Sequence, residues 1–352
     1  MGRAPSGRSG TLPRLSAADK RLLNLLQSDF PLTARPWLAL ARKLCRTEGR
    51  VLARVRRLVR AGLVREISAI FDARALGYSS ALVALKVLPR RLEAAAGRIS
   101  RHPGVSHNYR REHELNLWFT LATPPGVELA AEARRLAGRP GVEKLRLLPA
   151  LRVFKIGVKL DLEVGEADPA GAGPRAGPPR PAARAGAMRP RKLSNRDKAL
   201  IRLTQQNLPL VEAPFDALAA RAGLSAGQLL GWLSRMRHRG AMRRFGAVLR
   251  HRRAGFTANP MMVWRVPEER IVEAGRICAR CVQVSHCYQR PTYPDWPYNL
   301  LAQAHARSRR ACKALAARLA KELRALGLTS HALLFSVKEY KKERVRYFAE
   351  EN

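Results

Sequence analysis

Apolar residues recur at helical spacing behind the same start signal twice in this chain. Leu22, Leu23 and Leu26 follow Ser16-x-x-Asp19, and Leu200, Ile201 and Leu203 follow Ser194-x-x-Asp197. A serine three residues ahead of an acid marks a capped helix start, because each side chain can satisfy a free N–H of the first turn. Two further helices are predicted in each half. In the first they run from Trp37 to Leu44 and from Glu48 to Ala61, closing at Gly62 before a strand that begins Leu63-Val64-Arg65. In the second they run from Phe215 to Ala222 and from Ala226 to Arg239, closing at Gly240 before Ala241-Met242-Arg243. Three short helices and a β wing predict a winged helix-turn-helix in 15–75 and another in 193–253.

Beyond each wing the pattern alternates between strand and helix periods. The first half predicts strands at Ser80–Val87, Val105–Tyr109, Leu115–Ala122 and Val142–Lys155, with helices at Leu92–Ser100 and Val127–Leu136. The second repeats them as strands Met261–Val266, Val282–Tyr288, Tyr298–Gln303 and Ser330–Lys338, with helices Ile271–Ala279 and Ala311–Leu326. That order is the ferredoxin-like βαββαβ layout. The expected class is therefore α+β, with two tandem repeats, each a winged helix followed by a ferredoxin-like domain (76–162 and 254–352). Residues 163–192, dense in Gly, Pro, Ala and Arg, are expected to be a linker, and 1–14 a flexible N-terminus.

The repetition extends to polar residues. Val105-Ser106-His107-Asn108-Tyr109, followed by Asn116-Leu117, returns as Val284-Ser285-His286-Cys287-Tyr288, followed by Asn299-Leu300. A duplicated structural strand would not need His, Tyr and Arg at matching places, so the motif predicts a pair of diverged sites. The inserts differ: Arg110-Arg111-Glu112-His113 in one, Arg290-Pro291-Thr292-Tyr293-Pro294-Asp295-Trp296-Pro297-Tyr298 in the other.

Charge narrows the partner. Sixty-six Lys and Arg against 27 Asp and Glu give a formal charge of +39, which calls for a polyanion, either nucleic acid or a small ligand with many carboxylates. Five cysteines make no disulfide framework and fit a reducing compartment. No run of about 18 uncharged apolar residues and no secretion signal are present, so a cytoplasmic protein without membrane contact is expected. Cys278-x-x-Cys281 lacks the second ligand pair of a zinc site, and neither a metal nor a protein-bound cofactor is expected.

A winged helix followed by a ferredoxin-like domain resembles the Lrp/AsnC regulators. Within that architecture, VSHNYRREHELNLWFTL and VSHCYQRPTYPDWPYNL resemble the siroheme decarboxylases. Arg243-Arg244-Phe245-Gly246-Ala247-Val248 and the strand ends Phe154-Lys155-Ile156 and Lys338-Glu339-Tyr340-Lys341-Lys342 support this. The resemblance implies removal of two acetate carboxyl groups from siroheme, giving didecarboxysiroheme and carbon dioxide on the route to haem d1 or to haem. The family often pairs two dissimilar subunits, so this chain resembles both fused. It departs from the pattern at Glu114-Leu115, where an aromatic commonly precedes Asn-Leu, and at Leu301-Ala302-Gln303-Ala304, which is less bulky than usual. The second departure implies one weakened half that mainly supports the other.

Loss of carbon dioxide from an acetate arm leaves a methyl group and so requires a proton. His107 and His286 are the candidate proton donors, or groups that orient the substrate, with axial contact to the substrate iron a further role. Carboxylates call for Arg in fixed directions. Arg111 and Arg290 adjoin the motif, Arg110 and His113 are available in the first copy, and Arg65, Arg243, Arg244, Lys155 and Lys341 could complete the charge. Tyr109, Tyr288, Tyr293, Trp118 and Trp296 are candidates to cover the macrocycle, whereas Asn116 and Asn299 are expected to fix the turn.

The rival reading is a DNA-binding regulator. Arg50, Arg54 and Arg57 share one face of a helix whose other face is Val51, Val55 and Leu58. The equivalent helix of the second half has no cation before Arg235, and a symmetric operator needs two equivalent readers, so nucleic acid is disfavoured. A haem-binding sensor without turnover would share the same site residues. The expected assembly is an internal pseudo-dimer of the two halves, with further self-association left open.

Overall fold

The computed structural model describes residues 15–28, 30–156, 193–249, 258–306 and 308–349. The expected linker 163–192 and N-terminus 1–14 lie outside the described residues. The first half runs α1 (Ala17–Ser28), α2 (Pro36–Leu44), α3 (Glu48–Arg60), β1 (Val64–Phe71), β2 (Ser79–Val87), α4 (Leu92–Arg101), β3 (Val105–Arg111), β4 (Leu117–Thr123), α5 (Leu129–Ala137), β5 (Val142–Pro149) and β6 (Arg152–Ile156). The second runs α6 (Asn195–Thr204), α7 (Pro214–Ala220), α8 (Ala226–His238), β7 (Met242–Leu249), β8 (Met261–Trp264), α9 (Ile271–Arg280), β9 (Val284–Gln289), β10 (Leu300–Ala304), α10 (Arg309–Arg324), β11 (His331–Leu334) and β12 (Ser336–Lys342).

Both helix starts are capped as expected. Ser16 N–H donates to Asp19 at 3.0 Å and Asp19 N–H to Ser16 Oγ at 3.2 Å, and Ser194 and Asp197 exchange the same pair of bonds. Each cap carboxylate then ties the first helix to the third. Asp19 pairs with Arg54, and Asp197 accepts from Trp232 Nε1 at 2.8 Å.

Two expectations are corrected by strand exchange. The wings are not separate: β1 pairs antiparallel with β7, making one ribbon shared by the halves. Each expected final strand is also two strands. β5 completes the first sheet in the ferredoxin order β5-β2-β4-β3, but β6 crosses over and pairs with β9. Likewise β11 stays with β8, whereas β12 pairs with β3. The break after Pro149 has a simple cause, since proline carries no N–H to continue a ladder.

Strand alternation divides the side chains between two cores. Val83, Leu85, Phe119 and Leu121 face α4 and α5, and Met262, Trp264, Leu300 and Ala302 face α9 and α10. The remaining faces meet each other, with Ala84, Trp118 and Leu148 packed against Met261, Val263, Trp296, Leu301 and Leu334. The expected internal pseudo-dimer is present. Arg146 locks it further with a two-pronged pair to Asp295, both bonds 2.8 Å.

The exchanged strand β6 depends on one small residue. A Cβ on Gly275 of α9 would lie 2.4 Å from the Phe154 ring. Gly275→Ala is therefore expected to destabilise the protein by about 1–3 kcal/mol through overpacking, outweighing the roughly 1 kcal/mol that alanine gains in a helix. A denaturant melt reads this directly, and an unshifted midpoint would mean that Phe154 moves aside freely.

Candidate active site

Alternation along β3 puts His107, Tyr109 and Arg111 on the face turned toward the other half, and Asn108 and Arg110 on the α4 side. Asn108 Nδ2 donates to Ala96 O and Ser100 Oγ, both at 3.0 Å. Arg110, expected in the site, is exposed on that opposite side, where its charge acts on Glu93 and Tyr340. Along β9 the matching row is His286, Tyr288 and Arg290, while Cys287 enters the helix-side core. The rows have the same geometry. His and Tyr ring centroids are 6.2 Å apart in the first and 6.1 Å in the second, and the guanidinium lies over the Tyr ring at 5.7 and 4.7 Å.

Both arginines also hold the exchanged strands in place. Arg111 Nη1 donates to Leu334 O at 2.9 Å, and Arg290 Nη1 donates to Leu148 O, so each grips the carbonyl at the other half's crossover. Burial pushes both guanidinium groups down to about 10, which leaves them charged at neutral pH. Neither forms an ion pair among the described residues, and Nε of each is buried without a partner. A buried cation with an unmet donor suits a carboxylate brought by a ligand.

Further positive charge bears on the second row. Arg243 from β7 and Lys155 from β6 both act on His286, together with Arg290, and burial with these charges pushes the imidazole down to about 4. Its tautomer is fixed by its neighbour. Ser285 Oγ donates its only proton to Gln303 O at 3.1 Å, so at 2.9 Å it must accept from His286 Nδ1–H. The Nε2 lone pair is left available. In the first row His107 Nδ1 lies 2.9 Å from Ser106 Oγ, and Arg65 donates to Lys342 O at 3.2 Å.

Lys155 and Lys341 occupy matching places. Lys155 Nζ donates to Cys281 O at 2.6 Å and Lys341 Nζ to His102 O at 3.1 Å, each closing the C-terminus of a helix, α9 and α4 respectively. Arg243 pairs with Asp72 at 2.8 Å. Arg244, its neighbour on the strand, points the other way into the winged-helix core, where it donates to Gln27 O and Ala247 O.

Several expected site residues belong instead to the seam between the sheets. Trp118 is 1% exposed, donates to Leu115 O at 2.5 Å and packs 5.1 Å from Trp296, which is fully buried. His113 accepts from Leu115 N–H at 3.0 Å, stands edge-on to Trp296 at 5.3 Å and is pushed down by burial. Tyr293 donates to Leu147 O at 2.7 Å beneath Arg146. The second-half insert is thus a plug that seats one half on the other. Asn116 and Asn299 serve structure as expected, each bonded both ways to a strand backbone, Val87 and Val266. Asp72 carries no local signal in the sequence, yet it reaches across from the first half to Arg243. On α3, Arg54 is turned inward to Asp19, so the expected basic face keeps Arg50 and Arg57 without it.

Fold and site together define a tandem winged-helix protein whose AsnC-type domains present two cation-lined His-Tyr-Arg rows. The ferredoxin-like units match the model of the AsnC-like ligand binding domain over 75–155 and 253–341, and the winged helices match the siroheme decarboxylase NirDL-like HTH domain over 19–65 and 197–243. A siroheme decarboxylase of Hydrogenobacter thermophilus is 43% identical over 94% of this chain and 95% of its own. A siroheme decarboxylase NirDL subunit of Paracoccus pantotrophus is 34% identical over 92% and 95%. The crystal structure of the siroheme decarboxylase NirDL in co-complex with an iron-uroporphyrin III analogue matches with a TM-score of 0.71 at 37% identity, over 94% of this chain and 95% of that one. The chain belongs to the siroheme decarboxylase family.

Proposed function

We propose that this protein is a carbon–carbon lyase that removes carbon dioxide from two acetate arms of siroheme, giving didecarboxysiroheme on the route to haem d1. The observation that carries this is the second row, where the Nδ1–H of His286 is taken by Ser285 and leaves Nε2 open, and the Arg290 guanidinium lies over Tyr288 at 4.7 Å in a mostly buried setting. The cations hold the rim carboxylates and leave one arm toward the imidazole. As its C–C bond breaks, the electron pair stays on the pyrrole side and carbon dioxide leaves. A proton added to the arm carbon then completes the methyl group.

Burial and the surrounding positive charge keep His286 neutral at pH 7, so the imidazole takes up its proton only as the substrate binds. Siroheme carboxylates offset the same positive charges that depress the imidazole, which raises its proton affinity and lets Nε2 load. The DNA-binding reading gains nothing from the structure, since Asp19 claims Arg54 and the wings are paired with each other. The test is anaerobic incubation of the purified chain with siroheme, followed by mass spectrometry of the tetrapyrrole. Loss of two carbon dioxide units is expected, and intact siroheme after prolonged incubation would overturn the proposal.

A further inference from the structure

One residue joins the two rows. Gln303 of β10 stands beside His286 in the second sheet, and its side chain reaches the first row. Oε1 accepts from Arg111 Nη2 at 3.3 Å, while Nε2 donates to Asn259 O and Pro260 O, both at 3.0 Å. The amide can stand only this way round, because a guanidinium offers donors alone and the two carbonyls accept alone. Arg111 is thereby held through both Nη atoms, by Gln303 and by Leu334 O at 2.9 Å.

The backbone of the same residue serves the second row. Gln303 and Ala304 pair with His286 and Val284, so Ser285 is the extra residue of a bulge, and its hydroxyl turns onto Gln303 O at 3.1 Å. That bond commits the serine proton and leaves Ser285 to accept from His286 Nδ1–H at 2.9 Å. Asn259 and Pro260 lead into β8, the other neighbour of β10, and the Gln303 amide clamps them beside the bulge. The amide therefore sets where the carbonyl that orients His286 stands. The first half has the same bulge at Ser106 but Thr120 at the matching place, a side chain with no amide to reach toward Arg290.

We propose that Gln303 is a positioning residue that couples the rows, holding Arg111 of the first half and the Ser285–His286 pair of the second in one hydrogen-bonded chain. What binds at Arg111 is then felt at His286 through three hydrogen bonds, a contiguous path that runs from the first half of the polypeptide to the second. The effect on turnover rests on the siroheme reading above, whereas the effect on the imidazole does not.

The first test needs no ligand. In the full chain with isotope-labelled histidine, followed by nitrogen NMR near neutral pH, His286 is identified as the signal lost in His286→Ala and is expected to carry its proton on Nδ1. Gln303→Met, which keeps the length of the side chain without its amide, should mix in the Nε2–H tautomer. Arg111→Lys, which cannot fork, should move the same signal in the same direction and add nothing in the Gln303→Met background. Ser285→Ala, a smaller change, breaks the chain at its far end, and there Arg111→Lys should leave His286 unmoved; circular dichroism and a melt confirm that each variant is folded. With siroheme, Gln303→Met should lower kcat about tenfold, the scale of one lost hydrogen bond, with KM moving less. Combined with Arg111→Lys it should be no slower than the slower single variant. A His286 tautomer unchanged by both Gln303→Met and Arg111→Lys, or losses that multiply in the double variant, overturns the coupling. If the wild-type chain leaves siroheme intact, the decarboxylase reading falls and the tautomer result still decides the role of Gln303.

Discussion

Replacing His286 with alanine is expected to lower siroheme turnover by roughly 10²–10⁴-fold, the usual contribution of a positioned acid or base. The single described bond to its ring is the one from Nδ1 to Ser285, so the variant should fold and still bind siroheme. Turnover within threefold of wild type would exclude this imidazole from the proton transfer. The same change at His107 measures the first row's share, and the two losses are expected to be unequal because β12 and β6 bring different side chains beside the two rows. A pH signature accompanies the effect. The unfolded chain takes up the His286 proton near 6.5, whereas the folded, ligand-free chain takes it up only near 4. Protonation over that interval favours unfolding, so this group's share of stability is complete above pH 6.5 and is lost as pH falls toward 4. His286→Ala should flatten the acid limb of a denaturant-midpoint profile.

Arg344→Ala is expected to destabilise the fold by about 3–5 kcal/mol, the cost of leaving a buried charge alone. Arg344 follows β12 and reaches back across the shared ribbon. It donates to Glu66 at 2.9 Å, to Ser68 Oγ at 2.8 Å and to Ala69 O at 3.0 Å, and Glu66 and Ser68 are both buried. Without it the Glu66 carboxylate keeps only Arg65 at 4.0 Å. Adding Glu66→Gln to Arg344→Ala should return part of the loss, which a double-mutant cycle by denaturant unfolding measures. If the double variant is as weak as the two single losses summed, the pair is not coupled.

The helices, the βαββαβ order and the two rows were legible because each depends on local spacing. Period-two alternation alone places His107, Tyr109 and Arg111 on one face, and the structure sets Arg110, a candidate from the sequence, on the other. Strand exchange was not legible. Val142 to Lys155 keeps placing apolar residues on both sides of Pro149, and nothing local says that its two ends join different sheets. The same gap explains the misplaced aromatics: Trp118, Trp296 and Tyr293 carry the same signature whether they face a ligand or a second sheet. Asp72 was missed because its partner, Arg243, lies 171 residues along the chain.

The exchanged strands also set a timetable for synthesis. When β3 and its neighbours have left the ribosome, the strand that covers their edge, β12, is still untranslated. At roughly 5–20 residues per second, the wait for the second half is on the order of ten to forty seconds. During that time β3 presents a bare row of N–H and C=O groups, the kind of edge that recruits foreign strands. The nascent first half therefore passes through a stage with an uncovered sheet edge. Carrying both halves on one polypeptide keeps the correct covering strand tethered to that edge and ahead of any competitor.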